Sequence, residues 1–323
     1  MTEMPAVTYN SRRGSLVFFG VIQLAIGLLC ILFFFGTLAI FLFSSFAPAG
    51  AAAPPFRTAI VGLLVYLLGG VLLISLGIGS MLARRWARDL SLIVAWMWLV
   101  IGVMTTIAMA AVVPRLMPDF PDQRTAGTVV LTCIAIALGV FGIVIPLLMV
   151  LFYRSENVRA TCLAADPRTR WTERVPLPLL GLAFWTVMSA ITMIGMTGYA
   201  VLPIRGTMIT GPIAIAVYGA IGVLLLYVSW GLYRRSLLAW WIGVGYGVLV
   251  AAYCVLVFPN LDYRRLVNAM GMPKTPNAPD FTAIYQSPWF LAYLGFFWLL
   301  YLGYFVFVLR YFRREGETES VLR

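Results

Sequence analysis

The thiols of this 323-residue chain are Cys30, Cys133, Cys162 and Cys254, and there is no histidine. Without imidazole there is no Ser-His-Asp triad, no His-held haem, no His-based general acid and few zinc or copper sites. The four cysteines show neither a CxxC nor a metal-ligand spacing, so the sequence contains no motif for a cofactor or metal. They read first as small apolar fillers, with a Cys133–Cys254 disulfide as the alternative. Among the 12 carboxylates, Asp119 and Asp122 lie three apart beside Arg115 and Arg124. That spacing suits an acid pair or a cation, but in a proline-containing loop it reads first as a solvated turn. Arg84, Arg85, Arg88 and Asp89 form the other compact charged set, where a membrane enzyme acting on lipids would gather its acid and base.

The elements that must position these groups are apolar. Hydrophobic residues make up 62% of the chain and charged residues 11%, against about 25% charged in soluble domains. Eight runs carry no Asp, Glu, Lys or Arg: 14–56, 58–83, 90–114, 125–153, 175–204, 206–233, 236–261 and 281–309. Each exceeds the roughly 20 apolar residues needed to cross hydrocarbon, and lipid offers no partner to an open strand, so each is expected to be a helix. The fold class is therefore all-α: a polytopic membrane bundle of eight transmembrane helices. A signal peptide is the rival reading at the N-terminus, where Arg12-Arg13 precedes an apolar run and Ala47-Pro48-Ala49 follows it. The run is too long for a signal h-region of about 7–15 residues, so it is expected to stay as the first span.

Orientation follows from the basic residues. Of 23 Lys and Arg, sixteen fall on the side that holds the N-terminus, the even-numbered loops and the C-terminus, and seven on the other. The positive-inside rule predicts both termini in the cytoplasm, in a cell inner or plasma membrane. The net charge of +11 is spread as short clusters at helix ends, which points to lipid headgroups and not to nucleic acid.

The chain divides at the connection 154–174, giving a tail 1–14, a membrane half 15–153, a linker, a second half 175–312 and a tail 313–323. Four spans per half is an even number, so the halves are expected to be parallel repeats. The second span ends Gly77-Ile-Gly79 and then Arg84-Arg85-Trp86-Ala87-Arg88; the sixth ends Trp230-Gly231 and then Arg234-Arg235 before Ala239-Trp240-Trp241. The fourth closes with Phe152-Tyr153-Arg154-Ser155-Glu156 and the eighth with Tyr311-Phe312-Arg313-Arg314-Glu315. Met117-Pro118 and Met272-Pro273 fall between, and the offsets rise from about 150 to 159 as small loop insertions would produce. The pattern of Gly77, Gly79, Arg84 to Arg88 and Phe152 to Val158 resembles uncharacterised four-span bacterial inner-membrane proteins, here in tandem duplicate. The resemblance covers mainly residues 60–160, departs in the second half where Ser236 stands in place of Trp, and implies no activity.

Polar groups inside the spans are sparse. Gln23 is the mid-span amide, and Thr105, Thr106, Thr132, Thr186, Ser189 and Thr192 supply hydroxyls. A path for a neutral solute would run along Gln23, Thr105, Thr132 and Thr186; the stronger reading has them bonding neighbouring helices or their own backbone. No Asp, Glu, Lys or Arg lies at membrane depth, which argues against a proton relay, a voltage sensor or a charged substrate. Small residues recur at Gly243, Gly247 and Ala251 and at Gly62, Gly69 and Gly77, faces that admit a close helix, whether from the same bundle or from a partner. Phe290, Phe297, Tyr304 and Tyr311 repeat every seven residues with Tyr293 and Tyr301 beside them; core or lipid packing is the first reading of this stripe and a flat apolar ligand the second. Leu261, Leu266, Val267 and Met270 share a face opposite Arg264 and Asn268, predicting a short interfacial helix, after which Pro273, Pro276 and Pro279 keep the chain extended.

Chemistry is thin while packing faces are present. The sequence therefore points to a non-enzymatic structural, assembly or accessory component that packs with membrane lipids and other membrane protein subunits. A carrier or channel for a neutral or amphiphilic solute is the alternative. Oligomeric state has no signature here.

Overall fold

A computed structural model describes residues 10–44, 56–116, 124–272 and 281–321, without the side chains of 44, 56–58, 111–131 and 313–321. Among the described residues, eight helices are long and apolar enough to cross a membrane, so the fold is a polytopic helical membrane bundle. They are α1 (Arg13–Ser44), α2 (Phe56–Met81), α3 (Arg85–Leu116), a fourth built from α4 (Arg124–Gly139) and α5 (Ile145–Arg154), α7 (Leu177–Met196), α8 (Pro212–Tyr233), α9 (Leu237–Val257) and α12 (Pro288–Val321). Short helices α6 (Glu156–Ala165), α10 (Tyr263–Ala269) and α11 (Thr282–Tyr285) lie between them. The interfacial helix expected from the Leu261–Met270 face is α10, started by the Asp262 carboxylate accepting from the Arg265 N–H. Asp119, Asp122, Pro273, Pro276 and Pro279 lie outside the described residues.

One element was not foreseen. Between α7 and α8 the chain forms an antiparallel hairpin, β1 (Val201–Ile204) and β2 (Thr207–Thr210), with Ile204 opposite Thr207. Arg205 and Gly206 both have positive φ, the backbone a two-residue hairpin turn requires. The Tyr218 and Tyr253 hydroxyls donate to the Val201 and Pro203 carbonyls at 3.0 and 2.7 Å and tie the hairpin to α8 and α9. The charge-free runs concealed it, because its apolar residues continue those of the flanking helices.

The chain forms two compact units, residues 1–32 with 68–177 and residues 33–67 with 178–323. The expected halves divide the chain in the 154–174 connection; these units divide it at 177/178 and also place the far ends of α1 and α2 in the second.

In the first unit, helices meet backbone to backbone. A Cβ on Gly20 would stand 2.8 Å from the Gly77 carbonyl oxygen, and one on Gly27 3.0 Å from that of Gly70. These glycines are seven apart on each of two antiparallel helices, so both pairs face each other. A Cβ on Gly102 of α3 would collide with the Gly142 carbonyl. Gly142 lies in a π-helical turn, Val140–Val144, between α4 and α5. Pro146 has no N–H to offer the Gly142 carbonyl four residues before it, so the ladder widens there. The bare Cα of Gly102 fits against that carbonyl.

The second unit uses glycine differently. Gly243 backs onto Phe305 and Val228, and Gly247 onto Tyr301 and Leu302, so this face of α9 is filled from α8 and α12. Ala251 lines a shallow apolar groove with Cys254 and Trp298. Of the glycines expected to form a groove on α2, Gly77 meets α1, whereas Gly62 and Gly69 have open space around them; the second close contact belongs to Gly70. The aromatic stripe is packed within the unit: Phe290 meets Phe258 and Tyr285, Phe297 meets Trp185, and the Tyr304 hydroxyl donates to the Pro178 carbonyl at 2.9 Å.

Several local geometries occur once in each unit. After α2, Ala83 takes a positive φ of 50°, with Arg84 N–H bonded to Gly79 O at 2.8 Å and Ala83 N–H to Ser80 O at 2.9 Å. After α8, Arg235 takes 56°, with Ser236 N–H on Gly231 O at 2.7 Å and Arg235 N–H on Leu232 O at 3.0 Å. Both are left-handed helix ends of the Schellman type, and Gly79 and Gly231 face Ala87 and Ala239 respectively. The geometry thus pairs Ala83 with Arg235, where the sequence pattern pairs Arg85 with it. Further up, Gly70 backs onto Ile31 and the Gly27 carbonyl, and Gly222 onto Ile194 and the Ala190 carbonyl.

Replacing Gly243 and Gly247 with Leu forces side chains into the rings of Phe305 and Tyr301, and overpacking of this kind costs about 1–3 kcal/mol. Thermal unfolding of the purified protein should show a lowered melting temperature for that pair and none for the same change at Gly62 and Gly69. Equal melting of the two double variants would remove the packing role from α9.

Candidate functional site

The polar side chains of the first unit collect at the end of the bundle where α1 and α3 begin and α2 and α5 finish. Gln23 projects from α1, Ser80 from the last turn of α2, Ser91 from the second turn of α3 and Tyr153 from the last turn of α5. All four are fully buried, Gln23 at 1% exposure and Tyr153 at 0%. The Gln23 amide nitrogen donates to Ser91 Oγ at 3.0 Å, and its carbonyl accepts from Ser80 Oγ at 3.2 Å and Tyr153 OH at 3.5 Å. Ser80 Oγ and Tyr153 OH also lie within hydrogen-bond distance of each other, 3.0 Å apart, with either able to donate. One amide, two serines and a phenol from four helices thus close a ring of hydrogen bonds. Leu16, Leu92, Met149 and Val150 pack around Tyr153, and Phe19 stacks on Phe152 at 4.5 Å.

Beyond the ring lies a set of ion pairs, and its second half comes from the connection expected to be a linker. That connection is folded. Ser155 caps α6 by accepting from Val158 N–H, and Thr161 on α6 accepts the Arg12 N–H at 3.1 Å. A short 3₁₀ turn, Trp171–Glu173, follows. Arg85 meets Glu173 at 2.5 Å, and Arg88 meets Asp89 at 3.0 Å. The other Asp89 oxygen accepts from the Thr172 hydroxyl at 2.9 Å. Asp166, 2% exposed, takes a two-pronged contact from Arg170, both arms 2.8 Å, with Arg84 at 3.9 Å. This paired carboxylate lies below the usual range, chiefly because Arg170 hydrogen-bonds its charged form, against an opposing push from burial; Arg170 is raised by the same contact. Burial pushes the nearby Cys162 thiol up to about 11, so it is neutral at pH 7 and a poor nucleophile.

Other residues expected from the sequence are not brought to this place. Within the first unit, Thr105 and Thr132 are exposed on the helix surface. Thr186, in the second unit, is buried and donates to its own backbone at Leu182 and Ala183, 3.1 and 2.8 Å away. All four cysteines are free thiols. Sequence reasoning misses the roles of Ser80, Ser91, Asp166 and Glu173, and finds Tyr153 only as part of the repeat motif. The available signals were the i,i+4 spacing of Asp166 and Arg170 and the Arg170-Glu173 pair, whose carboxylate takes the Arg170 N–H at 3.1 Å.

Chemically, the arrangement binds helices together. Each oxygen of Asp89 and Glu173 is engaged, and the ring hydroxyls face one another. No protein-family model matches the chain, and neither a curated protein nor a solved structure does. The fold and these contacts are accordingly the basis for reading its role.

Two measurements test the site. Gln23→Leu removes the amide on which Ser80, Ser91 and Tyr153 converge inside the bundle and should cost about 1–3 kcal/mol of stability. Chemical or thermal unfolding of the variant checks this, and wild-type stability would mean the ring contributes nothing. Asp166→Asn should lower the melting temperature at neutral pH. Because the folded carboxylate titrates below the ordinary value of 3.8, its contribution is full above that pH and fades as the pH falls through the lower folded value. The gap between variant and wild type should therefore close in strong acid; a gap independent of pH would disconnect the ion pair from stability.

Proposed function

We propose that the protein is a non-enzymatic component of a bacterial inner membrane, a structural, assembly or accessory subunit that packs with other membrane proteins or lipids. The supporting observation is that the polar interior of the first unit is closed on itself. Gln23 is spent on Ser80, Ser91 and Tyr153, while Thr105 and Thr132 face outward. A solute path needs such groups turned towards a common cavity; here they hold helices together instead.

The duplicated architecture is part of the same reading. On one residue step of 163 for α1 to α7 and another of 152 for α2 to α8, Ile31 corresponds to Ile194, Gly27 to Ala190 and Gly70 to Gly222. That matches their equivalent contacts. The same steps carry Gly20 to Ala183 and Gly77 to Ser229. In the first unit Gly20 touches the Gly77 carbonyl, and in the second Ser229 Oγ donates to the Ala183 carbonyl at 2.8 Å. Consistent steps over separate contacts are what an ancestral four-span unit copied in tandem leaves behind. The excess of arginine at the end carrying Arg84, Arg85, Arg88 and the folded connection favours that end for the cytoplasm, with both termini there.

Native mass spectrometry after gentle detergent extraction should find the chain with a protein subunit or retained lipid. Proteoliposomes carrying it should show no saturable flux of small neutral solutes such as glycerol. Saturable flux abolished by Gln23→Ala would overturn the reading in favour of a carrier. Reporter fusions at the N-terminus and near Asp166 should report one face of the membrane; opposite faces would overturn the span arrangement.

A further inference from the structure

The ion-pair set of the first unit encloses a recess of about 20 Å³ walled by Arg85, Arg88 and Asp89 of α3, Arg159 of α6, and Glu173. Its donors and acceptors do not balance. The Arg85 terminal nitrogens reach Glu173 and the carbonyls of Pro167 and Arg168, and an Arg88 terminal nitrogen reaches Asp89. The Nε–H of both arginines is buried with no acceptor among the described residues. Neither carboxylate in the wall is bonded to them: Glu173 Oε1 takes Arg85 and Oε2 the Arg170 N–H, while Asp89 Oδ1 takes Arg88 and Oδ2 Thr172. A buried charged donor left unbonded costs more than a neutral one, and two in one wall point to a missing anionic acceptor.

Three further observations give its chemistry. Three guanidinium groups face two carboxylates, so one positive charge is uncompensated. Arg159 is exposed and pairs with no carboxylate among the described residues. Arg85 and Arg88 occupy the first turn of α3, where the helix dipole adds positive potential. The recess holds about one water-sized group, the size of a single phosphate oxygen, and the rest of a phosphate would lie outside it against Arg159. Guanidinium groups match phosphate in charge and hydrogen-bond geometry.

We propose that this recess is a phosphate-binding site, occupied by the phosphodiester of an anionic lipid headgroup or by free phosphate. The site does not depend on the scaffold reading. A carrier could possess it equally, and its loss would leave the flux result unaffected.

The test uses the full-length protein, delipidated in a neutral detergent, with short-chain phosphatidylglycerol, inorganic phosphate, and chloride at matched ionic strength as probes. Melting shifts and native mass spectrometry are the readouts. The wild type should retain one phosphatidylglycerol and melt higher with it than with chloride. R159A, which removes an exposed side chain, should melt as the wild type does without ligand and bind roughly tenfold more weakly, about the effect of one charge-assisted hydrogen bond. A shift with the lipid alone assigns the site to headgroups, and an equal shift with inorganic phosphate assigns it to the free anion; both support a phosphate site. No shift beyond chloride with either probe, or the same shift in R159A, would overturn it and leave the recess to a water molecule.

Discussion

Hydrocarbon supplies no hydrogen-bond partner, and in this molecule that constraint decides where each buried polar group ends. Gln23 would be expensive to leave unpaired inside the bundle, so its amide is answered from three other helices by Ser91, Ser80 and Tyr153. Thr186 solves the same problem locally, giving its proton to carbonyls of its own helix. Trp240 is answered across helices, its indole N–H donating to the Phe305 carbonyl at 2.9 Å. The buried Tyr301 hydroxyl has no partner among the described residues, an exception in the second unit. Wherever the bond crosses between helices, it also fixes their relative rotation, so satisfying the polar groups and specifying the bundle are one requirement.

Close approach is the second consequence of the same solvent. Lipid tails are as apolar as the helix surfaces, so helices gain little by hiding leucine and gain more by packing without gaps. Gly20, Gly27, Gly70, Gly77 and Gly102 let backbone meet backbone, and Pro146 turns this to account: the carbonyl of Gly142, to which it cannot donate, stands against the bare Cα of Gly102. In the second unit Gly243 and Gly247 admit aromatic rings from α12 in place of backbone. The same residue type thus serves two packing modes, set by what lies opposite.

Much of this was legible in the sequence, for reasons that differ by residue. The spans were readable because a charge excluded from lipid leaves a long gap in the pattern of Asp, Glu, Lys and Arg, and the α10 helix was readable from its one-sided apolar face. The hairpin was not, because Val201–Ile204 and Thr207–Thr210 are as apolar as the helices beside them, and only Arg205-Gly206 hints at a turn. The contacts of α1 with α2 depend on matched spacing in two helices: Gly20 and Gly27 against Gly70 and Gly77. A search along one span finds Gly62 and Gly69 equally well, although open space surrounds both. The site was half legible. Arg84, Arg85, Arg88 and Asp89 are adjacent in the chain, but Asp166, Thr172 and Glu173 reach them only because the connection folds back, and that depends on tertiary contacts.

The proposed duplication makes the difference between the units informative. On the residue steps that align their shared contacts, Gln23 corresponds to Thr186, Ser80 to Leu232 and Ser91 to Gly243. The first unit therefore carries a hydrogen-bonded ring where the second carries a self-bonded threonine, a leucine and a glycine covered by Phe305. On that proposal, two copies of one scaffold need only one solution for stability, and an apolar filling is the simpler of the two, since no group is left to satisfy. The polar solution stands in the unit whose ion pairs and arginine recess lie just beyond the ring. Ser91 and Asp89 are two residues apart on α3, and Ser80 is four from Arg84. A ring that fixes the rotation of α1, α2, α3 and α5 thereby fixes the positions from which Arg84, Arg85 and Arg88 project. The polar interior of the first unit is best understood as the support of its charged surface.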